Sequence, residues 1–209
     1  MRKTIILMLL GMALSCHAYD GVARLFAEAS GDVFNSLTYS ARYQLLNNYT
    51  SGQSSEVLNN LQTTESRILQ LSDDHMVVAT SAGMTVELKL LPVSKRDTVI
   101  AVIETVKTPV KDSRISFYDM KWTQLDASRF IDPPSLNDFI VPRAGKAERE
   151  ELSRLVNFAM IELHFEDVNL VAHCNLEDFF MGDDFKLFKP IVVDRVEYVY
   201  QKGKLKKKK

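Results

Sequence analysis

Met84-Thr85-Val86-Glu87-Leu88-Lys89-Leu90, followed after a short break by Val99-Ile100-Ala101-Val102-Ile103-Glu104-Thr105-Val106, is the stretch whose reading decides the fold. The first run alternates apolar and polar side chains with a period of two, which predicts a strand with one wet face. The second is apolar on both faces and belongs in the middle of a sheet. Upstream, residues 67–71 and 75–80 have strand character and flank Ser72-Asp73-Asp74, a turn; downstream, residues 114–122 follow Pro109 and Asp112. Connections this short cannot carry a parallel crossover, so these strands are expected to form an antiparallel meander of about five.

Outward from the meander the period lengthens. Val22, Leu25, Phe26 and Ala29 recur at helical spacing and Gly31 ends the run; Tyr39, Tyr43, Leu46 and Tyr49 mark one stripe of a second helix. On the other side, Pro133-Pro134, Pro142 and Gly145 indicate an extended connection over residues 123–146. Residues 147–158 read as a helix, with Glu148, Glu150 and Glu151 favourably placed in its first turn. Residues 160–165 and 170–174 alternate around Glu166-Asp167-Val168-Asn169, which predicts a hairpin. Asn175 is placed to cap a short helical turn, with Asp178 three residues on and Gly182 as its stop. Val196, Tyr198 and Tyr200 mark a last strand. The expectation is an α+β chain, with a leader at 1–18 and helices plus meander over 19–122. The connection at 123–146, a smaller helix, hairpin and strand portion at 147–201 and a basic tail at 202–209 complete it.

The leader sets the compartment. Arg2 and Lys3, an apolar run of about eleven residues and the close Ser15-Cys16-His17-Ala18 form the pattern of a secretory signal peptide. The run is too short for a membrane span, which needs roughly 20 residues. Cleavage after Ala18 starts the mature chain at Tyr19. The competing reading makes Cys16 a lipidated first residue, although the preceding Ala13-Leu14-Ser15 places its leucine one step late. Either way Cys174 has no intrachain disulfide partner in the folded body, so the core alone must hold it together. The expected location is the periplasm or cell envelope of a Gram-negative bacterium.

A formal charge of −1 hides an asymmetry. Lys202, Lys204 and Lys206 to Lys209 crowd the last eight residues; without these and the leader, 18 basic residues face 27 acidic ones, a body charge of about −9. An acidic body argues against nucleic acid as a partner. The lysine tail suits a frayed, solvated terminus; docking on anionic lipid, at roughly 1 kcal/mol per residue, is the alternative. A membrane therefore enters only through a lipidated Cys16 or that tail.

No G-x-S-x-G elbow, H-E-x-x-H pair, phosphate-binding glycine loop or C-x-x-C occurs, so no catalytic residue and no cofactor is assigned. The best chemical candidate is the hairpin. On a strand, Glu162 and His164 share a face, and His173 and Cys174 return beside them; imidazoles, a carboxylate and a thiolate are the ligands zinc prefers. The plainer reading is the wet side of a hairpin, and a one-residue slip in register moves a histidine to the other face. A thiol nucleophile at Cys174 lacks any visible means of activation. Tyr118 and Trp122, on one strand face, are candidates for the floor of a ligand groove, with core packing as the alternative.

Several short motifs also carry a resemblance. They are Lys89-Leu90-Leu91-Pro92 closing a strand, Arg114-Ile115-Ser116-Phe117-Tyr118 leading to Trp122, Pro134-x-Leu136-x-Asp138-Phe139, and an aromatic final strand ending in Lys202-Gly203-Lys204. With the leader and early helices, they make the chain resemble a family of exported proteins of unknown function from the Bacteroidales. That resemblance implies an α+β domain in the envelope of a Gram-negative anaerobe and supplies no catalytic residues; the lysine tail is longer than it leads one to expect. The function expected is a non-catalytic envelope protein that binds a partner protein or small ligand. An exported hydrolase, metal-assisted through the hairpin, and a lipid-anchored tether are the alternatives.

Overall fold

A computed structural model describes residues 19–31, 33–52, 57–59, 64–156, 160–180 and 184–208, the run 57–59 by its backbone alone. The leader with Cys16, and Gly182, lie outside these residues. Two helices come first, α1 (Gly21–Glu28) and α2 (Tyr39–Thr50). Gly21 sits at φ +56°, and a Cβ there would collide with the Asp73 carbonyl, so glycine is what lets α1 dock against the β-turn. Thr38 caps α2 by accepting from the Ala41 N–H at 3.2 Å. The buried face of α2 is Ala41, Arg42, Leu45 and Leu46; Tyr39 of the tyrosine stripe is 60% exposed.

Seven strands then pair in sequence order, all antiparallel: β1 (Val57–Asn59), β2 (Thr64–Leu71), β3 (His75–Ser81), β4 (Met84–Pro92), β5 (Thr98–Val106), β6 (Asp112–Tyr118) and β7 (Gln124–Leu125). The meander is the one the alternation indicates, with short strands added at both ends. After α3 (Lys146–Leu155) comes a second antiparallel sheet: β8 (Ile161–Glu166), β9 (Asn169–Cys174), β10 (Arg195–Gln201) and β11 (Lys204–Lys207), in spatial order β11-β10-β9-β8. The one-turn α4 (Leu176–Phe179) follows β9 in the chain. The chain is therefore α+β. Among the described residues no helix is long and apolar enough to cross a membrane.

The layers are helices, seven-stranded sheet and four-stranded sheet. Val22, Leu25, Phe26, Leu45 and Leu46 pack on Met76, Val78, Leu88 and Ile100 to form one core. The other face of the sheet gives Leu91, Val99, Ala101, Ile103 and Phe117 to a second core, shared with Leu163, Phe165, Leu170, Val196 and Leu205. Each large apolar side chain buried this way contributes about 1.5–3 kcal/mol. A third cluster, including Leu152, Met160, Leu176 and Phe188, sits under α3.

Several local expectations are corrected. Strand β4 has no wet face over its centre: Glu87 and Lys89 are 7% and 3% exposed, because the second sheet and the turn before β3 cover them. Lys89 Nζ donates to Asp74 Oδ2 at 2.8 Å. Glu87 Oε1 accepts from His75 Nε2 at 2.6 Å and from the Phe165 N–H at 2.9 Å. The last bond belongs to a series. The N–H groups on the free edge of β8 are taken in turn by Asp112 Oδ1 (Ile161, 3.0 Å), Ser113 Oγ (Leu163, 2.9 Å) and Glu87. Side chains of the first sheet thus close an edge that would otherwise be open to strand addition.

The basic tail is an ordered edge strand over 204–207. Lys202 and Gly203, both at positive φ, form the two-residue turn that returns the chain onto β10. Leu205 is 3% exposed, Lys207 pairs with Asp138 at 2.9 Å and Lys208 with Glu197 at 2.8 Å. Alternation of Leu205 between lysines, together with these two acids, makes the tail a strand. The connection at 123–146 carries β7, two 3-10 turns and the first residue of α3. Asn175 precedes α4 as expected but makes no side-chain cap; its side chain donates to the Lys111 carbonyl at 2.8 Å instead.

Candidate functional site

The β8–β9 hairpin closes through Asp167-Val168, with Asp167 at φ +58°, a conformation aspartate tolerates better than most residues. This turn decides the register. Glu162 lies opposite His173, and His164 opposite Val171, so both imidazoles occupy the outward face as diagonal neighbours. Their rings are parallel, 5.3 Å between centroids with 6° between planes. Cys174 lies opposite Ile161 and therefore turns to the other face, where it packs against the second and third cores.

The outward face borders an open hollow of about 390 Å³, lined by Glu162, His164, His173, Cys174, Asn175, Glu177, Asp178 and Asp194. Lys111, 51 residues before Glu162, holds both of its carboxylate oxygens at 2.9 and 3.0 Å. Glu177 is paired with Lys189 at 2.8 Å. Arg195 binds Glu166 at 2.9 Å and Glu197 at 3.2 Å. His164 Nε2 reaches Glu166 Oε1 at 3.4 Å, and the His173 imidazole makes no hydrogen bond among the described residues.

Burial lowers the His173 pKa; the neighbouring His164 and Arg195 reinforce that shift, and Glu162 and Asp194 oppose it. Burial pushes the Cys174 thiol up, away from the reactive thiolate. The hairpin thus gathers three of the four expected ligand residues, Glu162, His164 and His173, on one face and separates Cys174 from them. Among the described residues, no three His, Cys, Asp or Glu side chains are grouped to hold a metal ion. Chemically the hollow offers ring nitrogens and carboxylates for hydrogen bonding rather than an activated nucleophile.

Sequence reasoning missed Lys111, Asn175 and Asp194. Alternation marks faces of a strand, and nothing local links Lys111 to a glutamate 51 residues on. Tyr118 and Trp122 do meet, at 5.5 Å between centroids, but not on one strand. β6 ends at Tyr118, and Trp122 sits in the following turn at φ +64°. Asp119 builds that turn by accepting from the Lys121 and Thr123 N–H groups, each at 2.8 Å. Both aromatic rings pack at the margin of the helix-side core, and the indole Nε1 is buried without a hydrogen-bond partner among the described residues.

Residues 13–205 match the family DUF3256, described as a protein of unknown function. No curated protein matches the chain. A solved structure, a domain of an uncharacterized protein from Porphyromonas gingivalis W83, is 23% identical with a TM-score of 0.77. The match covers 91% of this chain and 99% of that one. At this identity the likeness shows the fold alone.

Proposed function

The chain belongs to the DUF3256 family, whose function is unknown, and from its own surfaces we propose an exported protein of the cell envelope that works by binding. The signal-peptide pattern of residues 1–18 supports export. The observation that carries the binding role is the pair of parallel imidazoles at the 390 Å³ hollow. His173 is held towards neutrality and its ring nitrogens make no hydrogen bond among the described residues, while Glu162 is already fixed by Lys111. A polar group of a partner protein or small ligand meets a surface arranged beforehand, which lowers the ordering cost of binding.

A photo-crosslinking residue at Glu177, on the rim, tests this in envelope fractions. The expected result is a discrete adduct that His173→Ala abolishes; labelling no different from that at the exposed Leu69 refutes it. Intact mass of the mature chain tests export, with a start at Tyr19 expected and a retained leader in the cytoplasm as the contrary result. Release from membranes by Cys16→Ser would instead establish the lipid-anchored tether. The metal-assisted hydrolase rests on Glu162, His164 and His173 sharing one face. Elemental analysis of wild type, His164→Ala and His173→Ala decides it, because a stoichiometric transition metal lost in both variants would replace the binding reading.

A further inference from the structure

A second cleft, of about 420 Å³, shares no lining residue with the histidine hollow among the described residues. It is bounded by the segment around Phe130–Pro133, by Asp138 and by the β10–β11 hairpin. The Leu205 N–H donates to the Phe130 carbonyl at 2.7 Å and Ile131 bridges Leu205 in parallel, so this segment is stitched to β11 like an added strand. Tyr198 lies opposite Lys207 across the hairpin and lines the cleft; as a residue it is 3% exposed. Among the described residues its hydroxyl makes no hydrogen bond.

The surrounding charges are arranged unequally. Asp138 is fully engaged: Ser135 holds Oδ2 through its N–H at 2.8 Å and its hydroxyl at 3.1 Å, and Lys207 holds Oδ1 at 2.9 Å. The Asp132 side chain is exposed and makes no ion pair or hydrogen bond among the described residues. Burial first, then the carboxylates of Asp138 and Asp132, push the Tyr198 phenol far up, so its proton stays on and the group is a donor. A ligand group between Tyr198 and Asp132 must accept from one and donate to the other. An ammonium only donates and a carboxylate only accepts, whereas a hydroxyl does both. Phe130, Pro133 and Leu205 add an apolar wall for C–H faces, and the volume falls within the range of small-molecule sites.

We propose that this cleft binds a small polyhydroxyl ligand, a saccharide of one or two rings, held between the Tyr198 hydroxyl and the Asp132 carboxylate. The site is independent of the hollow and of any partner bound there.

The test is titration of the mature protein with glucose, galactose, N-acetylglucosamine and maltose, read by amide chemical shifts. At least one sugar is expected to shift residues 130–132 and 205–207 saturably. Tyr198→Phe and Asp132→Asn should each weaken it roughly tenfold, the scale of one hydrogen bond, with shifts elsewhere unchanged. Asp132 is exposed, so its variant keeps the test sound if Tyr198→Phe disturbs folding. No saturable shift with any of the four sugars, or an affinity that neither variant changes, overturns the proposal. So does inorganic phosphate acting on the same amides where sugars do not, which would assign the cleft to its lysines.

Discussion

Replacing Glu87 separates a wet-face glutamate from one that joins two sheets. Its Oε1 serves two buried donors, His75 Nε2 and the Phe165 N–H. Glu87→Leu keeps the side-chain volume but strands both, at about 1–3 kcal/mol for each unsatisfied group. Relief from burying a carboxylate offsets part of that sum, which leaves an expected loss of about 2–4 kcal/mol. Glu87→Gln keeps an acceptor oxygen and loses only charge assistance, so about 1 kcal/mol is expected. Adding His75→Leu to Glu87→Leu removes one stranded donor and should recover part of the loss. Urea denaturation measures the stabilities, and amide exchange supplies the site-specific readout: Phe165 should lose protection in Glu87→Leu and largely keep it in Glu87→Gln. A Glu87→Leu protein as stable as wild type, or with Phe165 protection unchanged, would refute the claim that this carboxylate closes the edge of β8.

Arg42, 4% exposed, donates to the carbonyls of Leu37 at 2.7 Å, Ala29 at 2.8 Å and Ala27 at 3.4 Å. Arg42→Lys cannot reach all three and should cost about 2–3 kcal/mol in urea denaturation, with faster amide exchange over residues 29–38. Asp74 is held below the usual carboxylate range, chiefly by its hydrogen bond from buried Lys89. A depressed folded pKa gives stability that is present above the unfolded value and lost as pH falls through the folded one. Asp74→Asn should therefore lose about 1–2 kcal/mol at neutral pH, discounted because Asp74 is half exposed, and unfold less steeply in acid. For His173, depressed by burial first, the same sign applies. Its contribution is full above the ordinary imidazole value and is lost as pH falls through the lower folded one. An NMR titration should place its midpoint below that of a free histidine, and His164→Ala should raise it only in part, since burial remains.

The residues themselves determined the class and much of the topology. Period-two alternation in residues 84–90, the two-sided apolar run 99–106 and short connections specify an antiparallel meander, and helical spacing specifies α1 and α2, because these signals act within a few residues along the chain. Only the tertiary structure decided which polar residues are wet. Glu87 and Lys89 read as a solvent face until a sheet folded from residues 161–207 covers them. The Asp167-Val168 turn brings His164 to His173 and sends Cys174 to the opposite face. The acids Asp138 and Glu197 turn a run of lysines into strand β11. Tyr198, read from the sequence as one more aromatic of the last strand, borders a cleft only because Phe130–Pro133 docks on β11. Periodicity reports which side chains share a face. What covers that face is set by packing between segments far apart in the chain, and no local pattern encodes it.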